Sequence, residues 1–134
     1  MISKANAASQ WGLTFWAAAV LAGAVLGASA KAPQSGEADR VVTLSALPHE
    51  ARQTHQLIFA GGPFPYAKDG TTFFNRERQL PSRPRGHYRE YTVKSAGSRD
   101  RGARRIVCGG QPQTAPEVCF YTADHYTSFS RIAP

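Results

Sequence analysis

Hydrophobic and polar positions along this chain follow three successive patterns. The first is continuous. Leu13 to Leu26 is an apolar, Ala-rich run, Lys4 is the one charge before Lys31, and the run leads into Ala28-Ser29-Ala30. A positive start, an apolar middle and an A-x-A ending define a secretory signal peptide over residues 1–30, with cleavage after Ala30. The run approaches the length of a membrane span, so an uncleaved anchor is the alternative. Its small residues and cleavage-like tripeptide favour removal. No Cys follows it, which argues against a lipoprotein anchor. Residues 31–40 are polar, contain Pro and Gly, and read as a flexible leader.

The second pattern is helical. Leu47, Ala51, Thr54 and Ile58 recur at spacings of three and four, with Leu57 beside them. Ser45 and Pro48 suit a helix entrance. Glu50 in the first turn suits the helix dipole, and Gly61-Gly62-Pro63 is a stop. A helix with one apolar face should pack on a sheet, leaving His49 and His55 on its solvated side. Just before it, Val41 to Leu44 is either a short strand or the approach to the helix.

The third pattern is alternating. After an Asp69-Gly70 turn, Thr71 to Phe74 reads as a strand. So do Tyr88 to Val93, Arg104 to Cys108 and Cys119 to Thr122, while Asp124 to Ser130 runs from a turn into a last edge segment. Gly62 to Tyr66 is a rigid aromatic turn; residues 75–78 and 82–86 are loops. A helix followed by a run of strands predicts an α+β domain over residues 41–134, the helix packed on a twisted antiparallel sheet.

Composition sharpens this picture. The formal charge is +7, or +6 without Lys4. A small, exported, basic domain points to an anionic partner: nucleic acid, an acidic membrane surface or an acidic protein. The two cysteines, Cys108 and Cys119, fit a disulfide in an oxidising compartment. Between them Gly109-Gly110, Pro112 and Pro116 make a loop joining two strands, and facing cysteines in adjacent antiparallel strands can reach bonding distance. Closing such a loop contributes about 3 kcal/mol. A zinc site is poorly served, since two Cys without spaced His partners do not supply four ligands.

Candidate chemistry gathers between Arg85 and Val107. Glu90 sits mid-strand on the face it shares with Tyr88 and Thr92. Four arginines follow, Arg99, Arg101, Arg104 and Arg105. The ordinary fates are a solvent-facing strand Glu and a solvated basic turn. Together they suggest more, because guanidinium groups hold phosphate oxygens through paired, charge-assisted bonds. A carboxylate beside them can take a proton during phosphodiester chemistry. Only one of Arg104 and Arg105 can face Glu90; Arg105 is the choice, with Arg104 outward or stacked and Arg101 reaching in from the turn. The missing acid is His125, at a turn in Asp-His-Tyr, although a lone His is more often structural or exposed.

These words carry a resemblance. Leu-Ser-Ala-Leu-Pro (44–48), Gly-Pro-Phe-Pro-Tyr (62–66), Asp-Gly (69–70), Phe-x-Asn-Arg-Glu (73–77), Leu-Pro (80–81), Tyr-x-Glu-Tyr-Thr-Val (88–93), Gly-x-Arg-x-Arg-Gly-x-Arg-Arg-Ile (97–106) and Tyr-Thr-x-Asp-His-Tyr (121–126) run in one order from Val42 to Ile132. In this the chain resembles the bacterial guanyl-specific ribonucleases, the barnase-like family, and most of all their RNase Sa branch. The resemblance implies a barnase-like fold and metal-free, cofactor-free cleavage of single-stranded RNA after guanosine. Glu90 would take the proton of the ribose 2′-OH. That oxygen would attack phosphorus to give a 2′,3′-cyclic phosphate, with His125 protonating the leaving oxygen. Water would then open the ring to a 3′-phosphate with the roles reversed. Arg101 and Arg105 would stabilise the phosphoryl oxygens and Tyr126 would line the phosphate site. Phe74, Asn75, Arg76 and Glu77 would read guanine, through loop amides and the Glu77 carboxylate.

The chain departs from its RNase Sa relatives at Thr43, where they carry a Cys tied to a C-terminal Cys absent here; Cys108–Cys119 stands as a tie elsewhere, and the loop before Cys119 is a few residues longer. The expected protein is a secreted or periplasmic monomer, without stable membrane association once the signal is cleaved. A barstar-like inhibitor is a possible partner. Two other readings share the residues: an antibacterial toxin paired with such an inhibitor, and a non-catalytic RNA-binding module.

Overall fold

The computed structural model describes residues 39–134, and Gly12 ahead of them. The expected signal peptide and nearly all of the expected leader therefore lie outside the described residues.

The helix α1 runs from His49 to Ala60. Pro48 caps it at φ −52°, and Gly61 ends it in the left-handed region at φ 79°. There the Gly61 and Gly62 amides donate back to Ile58 and Leu57, a Schellman-like closure that glycine makes without Cβ strain. Ala51, Thr54 and Ile58 are its buried face, as their spacing predicts. His49 is exposed as expected. His55 is half-buried instead, its ring 4.7 Å from Phe59, and burial lowers its pKa below the usual histidine value.

Among the described residues six strands form one sheet: β1 Val41–Thr43, β2 Thr71–Thr72, β3 Tyr88–Thr92, β4 Arg105–Gly109, β5 Val118–Thr122 and β6 Ser130–Ala133, in the order β1-β6-β5-β4-β3-β2. The pairings are antiparallel except one: β1 lies parallel to β6, with Val41 opposite Arg131 and Thr43 opposite Ala133. The Val41 run is thus a strand, and its pairing moves the C-terminal segment from the expected edge to the interior of the sheet. At the other edge, the strand expected over Thr71 to Phe74 pairs only through Thr72. The Phe73 amide still donates to the Tyr88 carbonyl at 3.0 Å. The chain then turns away, because Asn75 adopts φ 51°.

Strand alternation divides the buried side chains into two clusters. One holds Leu47, Ala51 and Ile58 with Tyr91, Val93, Ile106, Cys108 and Cys119. The other holds Leu80, Tyr88, Val107, Phe120 and Phe129. Successive residues of β4 fall into opposite clusters, as a period of two requires. Cys108 and Cys119 are cross-strand partners joined by a disulfide, with Cα atoms 4.1 Å apart. The bond closes the β4–β5 hairpin within the helix-side core.

Candidate active site

Glu90 lies on the face away from the helix, opposite Val107 in the β3–β4 ladder. Its carboxylate has two partners. Arg101 Nη2 lies 3.4 Å from Oε1, and the Tyr126 hydroxyl donates to Oε2 at 3.0 Å. Its side chain is only 15 % exposed, so this ion pair is better shielded from solvent than a surface one.

The arginine segment divides its labour. Arg101 reaches back from the turn and donates to Thr92 Oγ1 through Nε at 3.1 Å and Nη2 at 3.0 Å. Arg105 is 2 % exposed. Its Nη1 donates to the carbonyls of Arg101, Gly102 and Arg104 at 3.3, 2.9 and 2.8 Å. Gly102 permits this curl: it sits at φ 61°, and a Cβ there would fall 2.4 Å from the Ser95 hydroxyl oxygen. The strand alternation predicts that Arg105 faces Glu90. The two do share a face, and the direct ion pair is made by Arg101, while Arg105 gives one nitrogen to its own loop. Arg105 Nε is buried without a partner, a donor available to a bound anion. Arg104 bears on the helix side, where its charge acts on Tyr121. Arg99 is exposed.

His125 and Tyr126 occupy a strained turn, both in the left-handed region at φ 52° and 70°. Few non-glycine residues adopt this conformation unless neighbours hold it. Asp124 and Thr122 do the holding. Asp124 Oδ1 accepts from the Thr122 hydroxyl at 2.8 Å and the Ser128 amide at 2.9 Å, and Oδ2 from the Ser128 hydroxyl. Thr122 Oγ1 accepts the Tyr126 amide at 3.2 Å. Burial works to raise the Asp124 pKa, but the Ser128 and Thr122 bonds outweigh it and hold the carboxyl below its usual range. The turn is joined to the arginine segment where the His125 amide donates to the Ala103 carbonyl at 2.9 Å. The His125 side chain is exposed, its ring 4.9 Å from that of Tyr126. Burial, and then the Glu90 charge, push the Tyr126 phenol pKa up. Its ring also lies 5.9 Å from the Arg105 guanidinium carbon.

A cleft of about 280 Å³ opens beside this cluster, lined by Thr72, Phe73, Phe74, Asn75, Arg76, Glu77, Glu90 and Tyr126. All four residues expected to read a base line it, next to the expected general base. Asn75 lends its backbone rather than its side chain: Nδ2 donates to the Leu80 carbonyl at 2.8 Å, and Oδ1 accepts the Leu80 amide at 3.1 Å. The amide ring pins the loop, so Asn75 shapes the cleft. Phe73 stacks on Tyr126 at 5.1 Å and 28° and forms part of the wall. Among the described residues no cluster of three or more His, Cys, Asp or Glu could hold a metal ion.

Some residues that build the site escaped sequence reading. Asp69, seen only as a turn former, accepts the Thr92 amide at 2.7 Å and the Tyr66 amide at 3.3 Å, so it anchors the residue that receives Arg101. Asp124 left a usable signal in its spacing, an Asp between Thr122 and Ser128. Thr72 and Phe73 left none beyond strand propensity.

On the sheet face away from the helix, the Glu90 carboxylate lines the cleft and meets the Arg101 guanidinium, with the exposed His125 imidazole on the adjoining turn; together these groups define a small hydrolytic class. Residues 28–133 match the family described as ribonuclease, and the chain belongs to that family. Within it, the chain is similar to guanyl-specific ribonucleases. It is 54% identical over 91 residues to ribonuclease Sa3 of Kitasatospora aureofaciens, 68% of this chain and 62% of that protein. To ribonuclease Sa of the same organism it is 52% identical over 91 residues, covering 91% of that protein. Among solved structures, ribonuclease Sa2 complexed with mononucleotides superposes with a TM-score of 0.65 at 41% identity, over 71% of this chain and 94% of that one. Sa2 with guanosine-2′-cyclophosphate gives 0.64 at 40%, over 71% and 97%.

Proposed function

We propose that this protein is an endoribonuclease that cuts single-stranded RNA after guanosine, through a 2′,3′-cyclic phosphate to 3′-phosphate ends. The observation that carries this reading is the sharing of Glu90 and Tyr126 between the cleft of residues 74–77 and the arginine cluster. A base in that cleft brings its ribose to the carboxylate.

Glu90 accepts the 2′-OH proton, the oxygen attacks phosphorus and the 5′-oxygen leaves with a proton from His125. Water reverses the roles in the second step. Holding the nucleophile within the substrate lowers the entropic barrier and confines the reaction to RNA. Charge that develops on the phosphoryl oxygens meets Arg101 and the free Nε of Arg105. Glu77, exposed at the rim of the cleft, accepts the paired N1–H and N2–H of guanine, donors that adenine lacks, and a site built on such pairing discriminates against a base without them. Relatives that carry the guanyl-specific name, and the guanosine ligand in Sa2, support the choice of base.

The test is digestion of a defined single-stranded RNA in EDTA by residues 31–134, with cut sites mapped. Cuts after G are expected. Glu90→Gln should lower the rate by about 10²–10⁴-fold, and 2′-deoxyguanosine at the cut site should abolish cleavage there. RNA bound but left intact by the unaltered protein would overturn the reading in favour of a binding module.

A further inference from the structure

A second groove, of about 470 Å³, runs along the β2 edge of the sheet and is lined by Lys68, Thr71, Thr72, Phe74 and Glu90. It shares Thr72, Phe74 and Glu90 with the base cleft, so one bound strand can occupy both. Its two ends differ in chemistry. Lys68 is an exposed cation on the turn before β2, a turn tied down where the Thr71 hydroxyl and amide donate to the Lys68 carbonyl at 2.7 and 3.2 Å. Phe74 is a large apolar side chain left 51% exposed, with the guanidinium carbons of Arg76 and Arg85 at 5.5 and 5.2 Å from its ring centre. Arg85 comes from a different loop. An exposed aromatic ring with guanidinium groups near it, on a groove that also carries a lysine, is an arrangement that binds single-stranded nucleic acid.

The groove also has a direction. Guanosine in the base cleft, with its 2′-OH at Glu90, sends its 3′-phosphate to Arg101 and Arg105. Neither of these, nor His125, lines the groove. The groove therefore faces the other exit of the same nucleoside, its 5′-oxygen. We infer that it is a subsite for the nucleotide preceding guanosine, with Lys68 on the intervening phosphate and the preceding base stacked on Phe74. This rests on the reading of the cleft as the guanosine site.

The test compares kcat/KM for GpC, pGpC, ApGpC and GpCpA with the unaltered residues 31–134 and with Lys68→Gln. Expected is a gain for pGpC over GpC, a further gain for ApGpC to about tenfold from stacking, and a steeper loss of that gain with salt. Lys68→Gln should remove the pGpC gain and leave GpC unchanged. Equal rates on GpC, pGpC and ApGpC would overturn the subsite while leaving the guanosine site intact. A fall for GpC as large as for pGpC would overturn it too, by moving Lys68 to the reacting phosphate; so would a gain confined to GpCpA. Failure to cut any of them would sink the ribonuclease reading and the subsite with it.

Discussion

The two faces of the sheet are built from the same strands to opposite ends. Towards the helix, Ile106 and Val93 are fully buried beside Ala51, Ile58 and the disulfide. On the other face the next residues along are Thr92 and Arg105, also buried, with Thr122 beside them. Burying polar groups is unfavourable unless they are hydrogen-bonded. Here Thr92 serves Arg101, Arg105 serves its own loop, and Thr122 serves Asp124 and Tyr126. One bond is left unmade, at Arg105 Nε. One face thus holds the helix-side core, while the other combines a second apolar cluster with buried polar groups that folding alone would not favour. Substitutions in the helix-side core should move stability without activity; among the polar groups of the second face, activity first.

Arg105→Ala is the largest way to break that separation, because this residue works for both. Three carbonyls would lose their donor, and the phosphoryl group would lose a cation. Expected are a fall in kcat/KM of about 10²–10³-fold and a stability loss of about 1–3 kcal/mol, read from urea unfolding. Arg105→Lys keeps the charge but not the planar fork, so it should recover less activity than stability. An activity loss with no change in unfolding would show that the loop does not depend on the guanidinium.

Removing the disulfide sharpens the comparison from the other side. Cys108→Ala with Cys119→Ala should cost about 3 kcal/mol and leave kcat/KM and guanine preference unchanged at temperatures where the protein stays folded. The pair points into the helix-side core, and the residues opposite it across the sheet, Val107 and Phe120, pack without it. A change in kcat/KM of the folded variant would mean that the two faces are coupled through the β4–β5 hairpin.

Much of this was legible in the chain. The helix face follows from the spacing of Ala51, Thr54 and Ile58, and the alternation of β3 and β4 places Glu90 and Arg105 on one side. Local pattern could not reveal what depends on distant pairing. Val41 to Thr43 carries no sign that it will run parallel to β6, so local pattern alone leaves the last strand at an edge. Thr71 to Phe74 has strand chemistry throughout, yet the Asn75 turn limits its pairing. At the site, residue types proposed the reactants but not their supports. The ion-pair partner of Glu90 is Arg101, and only the folded geometry decides that. Asp69 and Asp124 look like ordinary turn formers, and each turns out to hold a residue that holds the site.

The smallest expected effect falls on Asp124, and it is a dependence on pH. Its carboxyl titrates below the ordinary range in the folded protein because Ser128 and Thr122 donate to the charged form, against the opposing influence of burial. A folded pKa below the unfolded one means a contribution to stability that is complete above the ordinary carboxylate value of about 4. That contribution is lost as pH falls through the folded value. Asp124→Asn should therefore be less stable than the parent at neutral pH by a nearly constant margin, and the margin should shrink below about pH 4. Activity at neutral pH should fall modestly, in kcat through His125 and in KM through Tyr126, which the same turn presents to the cleft. His125 and Tyr126 sit in the left-handed region, a conformation that non-glycine residues hold only with support from their surroundings. A stability margin that stayed constant into strong acid would mean that the hydrogen bonds, and not the charge, fix the turn. The polar face would then owe its shape to geometry that an amide reproduces as well as a carboxylate.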